Sequence, residues 1–368
     1  MIDFIYSISV TVFPKLIAFL ASYIAYVNAD YNTLYAKIVV LIALSTIFAQ
    51  TACSTLTIGL YSGSIITIDD MKRAGHVPLL ICLWCLIFYQ LFEGAYDSKI
   101  IWMYAVIVLR LLSSAAFRIN YRPIKLLISE SLIAILIFFA VPFFDSRLID
   151  MMAVFAVVLL SIYSLANFKE VMNFKYMKFL LVVLPSVAMI MIPNLDILIS
   201  KDFSPDYLRE LSLSKMVFVL PSLIMQILML KRLSTFAGMY SCKEYESATR
   251  LAFAVSFYVF GISLLLYFGI IAYFKILGIL GNYINNEIYV ISFLANFVVS
   301  LVSMLNDLLL IRGLYSQTYL SGLISILFYV YILYMDISAL ELYYLGVLVA
   351  MSVVLIGSIA LLLNSIKN

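Results

Sequence analysis

The chain has 368 residues, 65% of them hydrophobic and only 12% charged, with a mean hydropathy of +1.11. A soluble domain holds roughly 45–50% apolar and about 25% charged residues, so a water-soluble fold is excluded and an all-α polytopic membrane protein is expected. The net charge of +3 is too small to point to nucleic acid.

The opening MIDFIYSISV has no basic n-region, and no small-residue cleavage site follows the first apolar run. That run is expected to be a retained span, not a signal peptide. Crossing a bilayer takes about 20 apolar residues. Runs of that kind fall at 4–27, 36–60, 78–94, 100–117, 125–144, 149–167, 178–200, 214–233, 249–275, 287–311, 318–335 and 341–364, which makes twelve spans. An even number puts both termini on one side. With the N-terminus inside, fourteen Lys and Arg residues fall on cytoplasmic segments and seven on outer ones. The positive-inside rule therefore places both termini in the cytoplasm. The loops are short on both faces, so no soluble catalytic domain is expected.

The first span carries Pro14 and the deepest charge, Lys15. Ser7, Thr11, Lys15 and Ser22 lie within about 80° of one another at helical spacing. A charge at mid-bilayer costs upward of about 2.5–3.5 kcal/mol and faces protein or a water-filled cavity. Span 2 carries a second stripe of Thr46, Gln50, Ser54 and Thr57. The stretch 61–77, with Lys72 and Arg73, reads as an amphipathic surface helix before span 3. Cys82 and Cys85 form a C-x-x-C inside an apolar helix, where core packing is expected instead of redox or zinc chemistry. The one histidine, His76, lies in a loop, so neither a metal site nor a cofactor is expected.

Arg110 and Glu130 both fall in the cytoplasmic third of their spans. They are expected to pair, the alternative being an anion contact for Arg110 at the inner mouth. Span 7 carries Pro185, Pro193, Asn194 and Asp196, and the polar stretch 201–213 reads as a short outer loop into span 8, with Pro221, Ser222 and Gln226. Span 10 has the cleanest stripe, with Asn296, Ser300, Ser303 and Asp307 within about 60°. Any one such Ser or Thr reads best as an interhelical hydrogen-bonding group. The stripes together point to a shared hydrophilic cavity. Asp196, Glu130 and Asp307 are candidates for ion coupling, or else structural and interfacial residues.

The two halves echo each other. Ala36-Lys37-Ile38-Val39 opens span 2 and Ser214-Lys215-Met216-Val217 opens span 8, and spans 1 and 7 each carry a proline. Six spans per half gives a parallel repeat, with bundles at 1–172 and 173–368 around a central cavity. No P-loop, G-x-S-x-G or H-E-x-x-H is present, and the chain is not expected to be an enzyme.

Twelve spans in two halves, short loops, and Asn194-Leu195-Asp196-Ile197-Leu198-Ile199 at the end of span 7 resemble the Wzx-type polysaccharide flippases. These belong to the multidrug/oligosaccharidyl-lipid/polysaccharide exporter superfamily. The stretch NDLLLIRGLYSQTYLSGLISILFYVYILY, Asn306–Tyr334, is similar to the family's span 10–11 junction. A Tyr-Gly pair common after span 1 in that family is replaced by Ala29-Asp30-Tyr31. The resemblance implies a bacterial inner-membrane flippase for undecaprenyl-diphosphate-linked oligosaccharide repeat units, serving O-antigen or related surface polysaccharides. Membrane lipid, an O-antigen polymerase and a chain-length regulator are the implied partners. Basic residues of the first span bind the cargo in that family, and Lys15 is the matching residue. Thr11, Gln50, Arg110, Gln226, Asn296, Ser300 and Ser303 complete the expected cavity lining. The competing readings are an O-antigen polymerase, which carries one large periplasmic loop, and a cation-coupled antiporter of the same superfamily, which needs deep acidic residues.

Overall fold

In hydrocarbon a backbone must satisfy its own N–H and C=O groups, and helices do this within one segment. A computed structural model describes residues 2–61, 68–92, 94, 97–119, 123–140, 194–200, 203–276, 278, 284–311 and 340–367, with positions 147, 151, 154, 158, 327 and 331. Among these residues the protein is all-helical, with no strand. In chain order the helices are α1 (Ile2–Val27), α2 (Ala29–Tyr61), α3 (Ile68–Phe92), α4 (Lys99–Ile119) and α5 (Pro123–Ile135), which runs on as a π-helical turn at Leu136–Ala140. Then come α6 (Pro205–Phe218), α7 (Leu220–Ser241), α8 (Tyr245–Ile276), α9 (Asn286–Ile311) and α10 (Leu340–Lys367). A further helical stretch covers 194–199. The expected spans at 149–167 and 318–335, and the first part of span 7 with Pro185 and Pro193, lie outside the described residues.

Four stretches are long and apolar enough to cross a membrane, Thr33–Cys53, Tyr245–Ile276, Asn286–Asn306 and Leu340–Ala360, which supports a membrane protein. They differ in position. The α2 span is 61% buried by the rest of the chain and the α8 span only 22%. α2 therefore runs through the middle, touching α1, α3, α4, α6 and α9. α8 turns Phe253, Phe257, Leu265 and Phe268 outward, as a lipid-facing helix would. Between membrane helices, packing contacts and hydrogen bonds replace the hydrophobic effect, and small residues let backbones approach. Ala21 and Ala25 on α1 and Ala43, Ala49 and Ala52 on α2 are all buried at these contacts.

Four expectations change. Within the expected loop 201–213, residues 205–213 are helical, and 201 and 202 lie outside the described residues. Ser204 caps α6, its Oγ accepting from the Tyr207 amide at 3.3 Å, and Pro205 opens the helix, where its missing N–H costs nothing. Leu208, Leu211, Leu213, Val217 and Phe218 are buried, and α6 touches α1, α2 and α9. Asp206, Arg209 and Glu210 lower the average hydropathy of this stretch and hide its helical period. Span 8 is correspondingly two helices. The chain breaks at Val219, whose amide reaches Lys215 O at 3.0 Å, because Pro221 has no N–H with which to continue the ladder. Third, residues 68–77 form no separate surface helix; α3 runs unbroken from Ile68 through Pro78. Fourth, only Cys82 of the C-x-x-C is partly buried. Cys85 is exposed on the outward side of α3 with Ile81, Trp84 and Phe88. Pro14, by contrast, sits within an uninterrupted α1.

Candidate functional site

The short helical stretch 194–199 delivers Asp196 into the protein, where it is 2% exposed. Its carboxylate is fully engaged. Lys215 Nζ donates to Oδ1 at 2.7 Å, the Ile197 amide donates to the same oxygen at 2.8 Å, and the Tyr344 hydroxyl donates to Oδ2 at 2.6 Å. α6 supplies the lysine and α10 the tyrosine, so one side chain ties three segments distant in sequence. A buried carboxylate is tolerable only with such partners. The ring of Phe218 stands edge-on to both Tyr344 and Tyr289, at 5.6 and 5.4 Å, and Tyr289 shares a 2.7 Å hydrogen bond with Ser214. Asp196, Lys215, Asn296, Tyr343 and Tyr344 line a cavity of about 10 Å³, the size of a single-water site.

A second group lies on α1, α4 and α5. Arg110 Nε donates to Glu130 Oε2, the direct pair expected from their shared depth. Lys15 is exposed on α1. The charges acting on it are Arg110 and Lys215, which repel it, and Glu130, which attracts it. Among the described residues Lys15 makes no ion pair, while Arg110 and Lys215 each hold a carboxylate. Among the described residues of this group, three cations meet two carboxylates, and Lys15 is the cation left without a carboxylate partner. One and two turns further along α1, Ser22 bonds back to Ala18 O at 3.0 Å and also to the Tyr35 hydroxyl. Tyr35 reaches Ser212 at 2.9 Å, so a hydroxyl chain fastens α1 to α2 and α6.

The structure groups the expected residues differently from the stripes. Asn296 lines the Asp196 cavity. Ser300 is buried and donates to Asn296 O at 2.6 Å, the back-bonding open to any helical serine. Ser303 is exposed and Gln50 half-buried. The side chains of Thr11, Gln226 and Asp307 lie outside the described residues. Sequence reasoning missed Lys215 and Tyr344 as partners of Asp196. The lysine was read as the opening of span 8, whereas it lies in the last turn of α6, and that helix, read as a loop, hid the pairing. Tyr344, 148 residues away, carried no signal.

A third ion pair, between Lys37 Nζ and Asp97 Oδ2 at 2.9 Å, lies at the α3–α4 turn. Burial works against ionisation of Asp97, but the Lys37 ammonium and the Lys99 amide outweigh it and hold the carboxyl below its ordinary range. Among the described residues no cluster of three or more His, Cys, Asp or Glu is placed to hold a metal ion. Compared with known proteins, the chain matches no family model, no curated protein and no solved structure.

Proposed function

We propose that the protein is a flippase for undecaprenyl-diphosphate-linked oligosaccharide repeat units, carrying them from the cytoplasmic to the periplasmic leaflet of a bacterial inner membrane. The supporting observation is Lys15, a cation without an ion pair among the described residues that feels the charges of Arg110, Lys215 and Glu130. Such a charge is stabilised by an anion, and the cargo's diphosphate supplies one. The lipid tail stays in hydrocarbon while the sugar head needs polar surroundings to cross. In this reading the chain has twelve spans in two halves, 1–172 and 173–368, with both termini cytoplasmic. The halves rock to expose Lys15 to one leaflet and then the other. The protein is then a transporter and not an enzyme. Against a cation-coupled antiporter stands the state of two of its three candidate acids, since Asp196 already holds Lys215 and Glu130 holds Arg110.

The test uses a bacterium carrying the matching glycan pathway with this gene deleted. For a flippase, no repeat unit reaches lipid A and lipid-linked units stay inaccessible from the periplasm. Arrival of single, unpolymerised units would show translocation intact and replace the flippase with a polymerase. Complementation with Lys15→Ala is expected to fail although the protein accumulates normally. Normal flipping by this variant would remove the central assignment.

A further inference from the structure

Away from the charged groups, α8 packs closely on α7 but is not a close backbone neighbour of α9 or α10 along its length. Side chains close only part of the gap. Ala248, Ala252, Val255 and Val259 of α8 share a buried cluster with Met304, Leu305 and Leu308 of α9 and Leu362 of α10. What remains is a slot of about 110 Å³, lined by Thr249, Ala252, Ser256, Met304, Leu355 and Leu362 among others. Its lining on α8, from Thr249 to Ser256, covers two helical turns, roughly 10 Å at 1.5 Å per residue. The slot thus runs along the helices. Its two hydroxyls have no proton left for a ligand, because Thr249 donates to Tyr245 O at 2.8 Å and Ser256 to Ala252 O at 2.9 Å. An elongated, mainly apolar slot with no free donor accepts a hydrocarbon chain.

The rim narrows the choice of occupant. Phe253 lines the slot and is also 53% exposed, so the slot opens on the outward face of α8. One turn before Phe253, at the end where α8 begins and α9 and α10 finish, Arg250 and Glu246 stand together at 2.6 Å, both largely exposed. Only Nη2 of Arg250 is used in that bond, and the guanidinium fork has four more N–H donors. An exposed pair of this kind holds its partners weakly. A rim with one cation and one anion side by side complements a headgroup with a phosphate and an ammonium. A headgroup with anionic charge alone would meet Glu246.

The geometry points to a resident zwitterionic phospholipid, with one acyl chain in the slot between α8, α9 and α10, its phosphate at Arg250 and its ammonium at Glu246. This site is separate from the Lys15 group and does not depend on the function proposed for it. Native mass spectrometry of the full-length protein, extracted in mild detergent, should show one retained phospholipid per chain. After delipidation, the protein is offered ethanolamine-headed and glycerol-headed phospholipids of identical chains, and the ethanolamine-headed lipid should rebind preferentially. Ser256→Leu fills the slot and should lower the bound fraction about tenfold; Ala252→Leu serves the same purpose if that variant fails to insert. Glu246→Gln with Arg250→Gln should abolish the headgroup preference while leaving chain binding. Equal lipid in a slot-filled variant, preference for the glycerol-headed lipid, or retention of an isoprenoid lipid in its place would each overturn the assignment.

Discussion

Two lysines stand in similar sequence surroundings, Ala36-Lys37-Ile38-Val39 within α2 and Ser214-Lys215-Met216-Val217 in the last turn of α6, and each binds an aspartate. Lys37 reaches Asp97 at 2.9 Å with 62% of its side chain exposed, against 15% for the acid. Lys215 reaches Asp196 at 2.7 Å with 17% and 2% exposed. The distances nearly match, so contact geometry does not separate the pairs. Burial does. In the outer pair each charge keeps a share of its hydration, and the bond adds little beyond it. In the inner pair both charges have lost water, and each depends on the other, on Tyr344 and on the Ile197 amide. The same short motif therefore serves as a trim at one end of α2 and as a structural knot at the end of α6.

The strongest way to break this comparison is Lys215→Met, which keeps the length of the stem and removes the charge. Asp196 is then buried without a counter-ion, a loss of about 3–5 kcal/mol. A large drop in the thermal midpoint of the detergent-solubilised protein is expected. Adding Asp196→Asn should recover most of that loss, since no uncompensated charge remains. If Lys215→Met melts with the parent, burial is not what distinguishes the pairs.

A smaller effect sharpens the same point. Tyr344→Phe leaves the ring that meets Phe218 at 5.6 Å and deletes only the 2.6 Å bond to Asp196. Hydrogen bonds to charged groups contribute about 1.5–3 kcal/mol, so the variant should fall between the parent and Lys215→Met in the same melting series. In the background of Asp196→Asn its cost should shrink toward that of a neutral bond. An equal cost in both backgrounds would mean that Tyr344 acts through packing and not through the carboxylate.

What could be read from the sequence follows the range of each interaction. α8, α9 and α10 declare themselves by unbroken apolar length. The Arg110–Glu130 pair was visible because both residues sit at one depth in successive spans. α6 was not visible, because Asp206, Arg209 and Glu210 give it the composition of a loop. Glu210 is buried to accept the Ile284 amide at 3.0 Å, 74 residues away, and nothing local announces that partner. The stripe expected on α9 divides in the structure, with Asn296 half-buried, Ser300 buried and Ser303 exposed. Periodicity shows which residues share a face, but Ser300 turns its hydroxyl to its own helix, a choice made at the level of a rotamer. Asp196 was read as a candidate for ion coupling, and its bond to Tyr344 of α10, far along the chain, had no local signal.

The smallest expected effect concerns Lys37→Ala, at most about 1 kcal/mol and less in high salt. It is best seen through pH. Asp97 ionises more readily in the folded protein than in the unfolded chain, because Lys37 and the Lys99 amide outweigh the burial that opposes its charge. Its contribution is therefore present above the unfolded carboxylate value, about pH 4, and is lost as pH falls through the lowered folded value. Removing Lys37 raises that folded value and takes away part of the contribution at neutral pH. Midpoints for the parent and Lys37→Ala, measured from pH 7 to pH 3, should start slightly apart and converge at the acid end. The Lys99 amide still binds Asp97 Oδ1 at 3.0 Å in the variant, so some acid sensitivity should remain. Two curves that stay parallel to pH 3 would mean that Lys37 stabilises the α3–α4 turn by packing its stem, with Asp97 as a bystander.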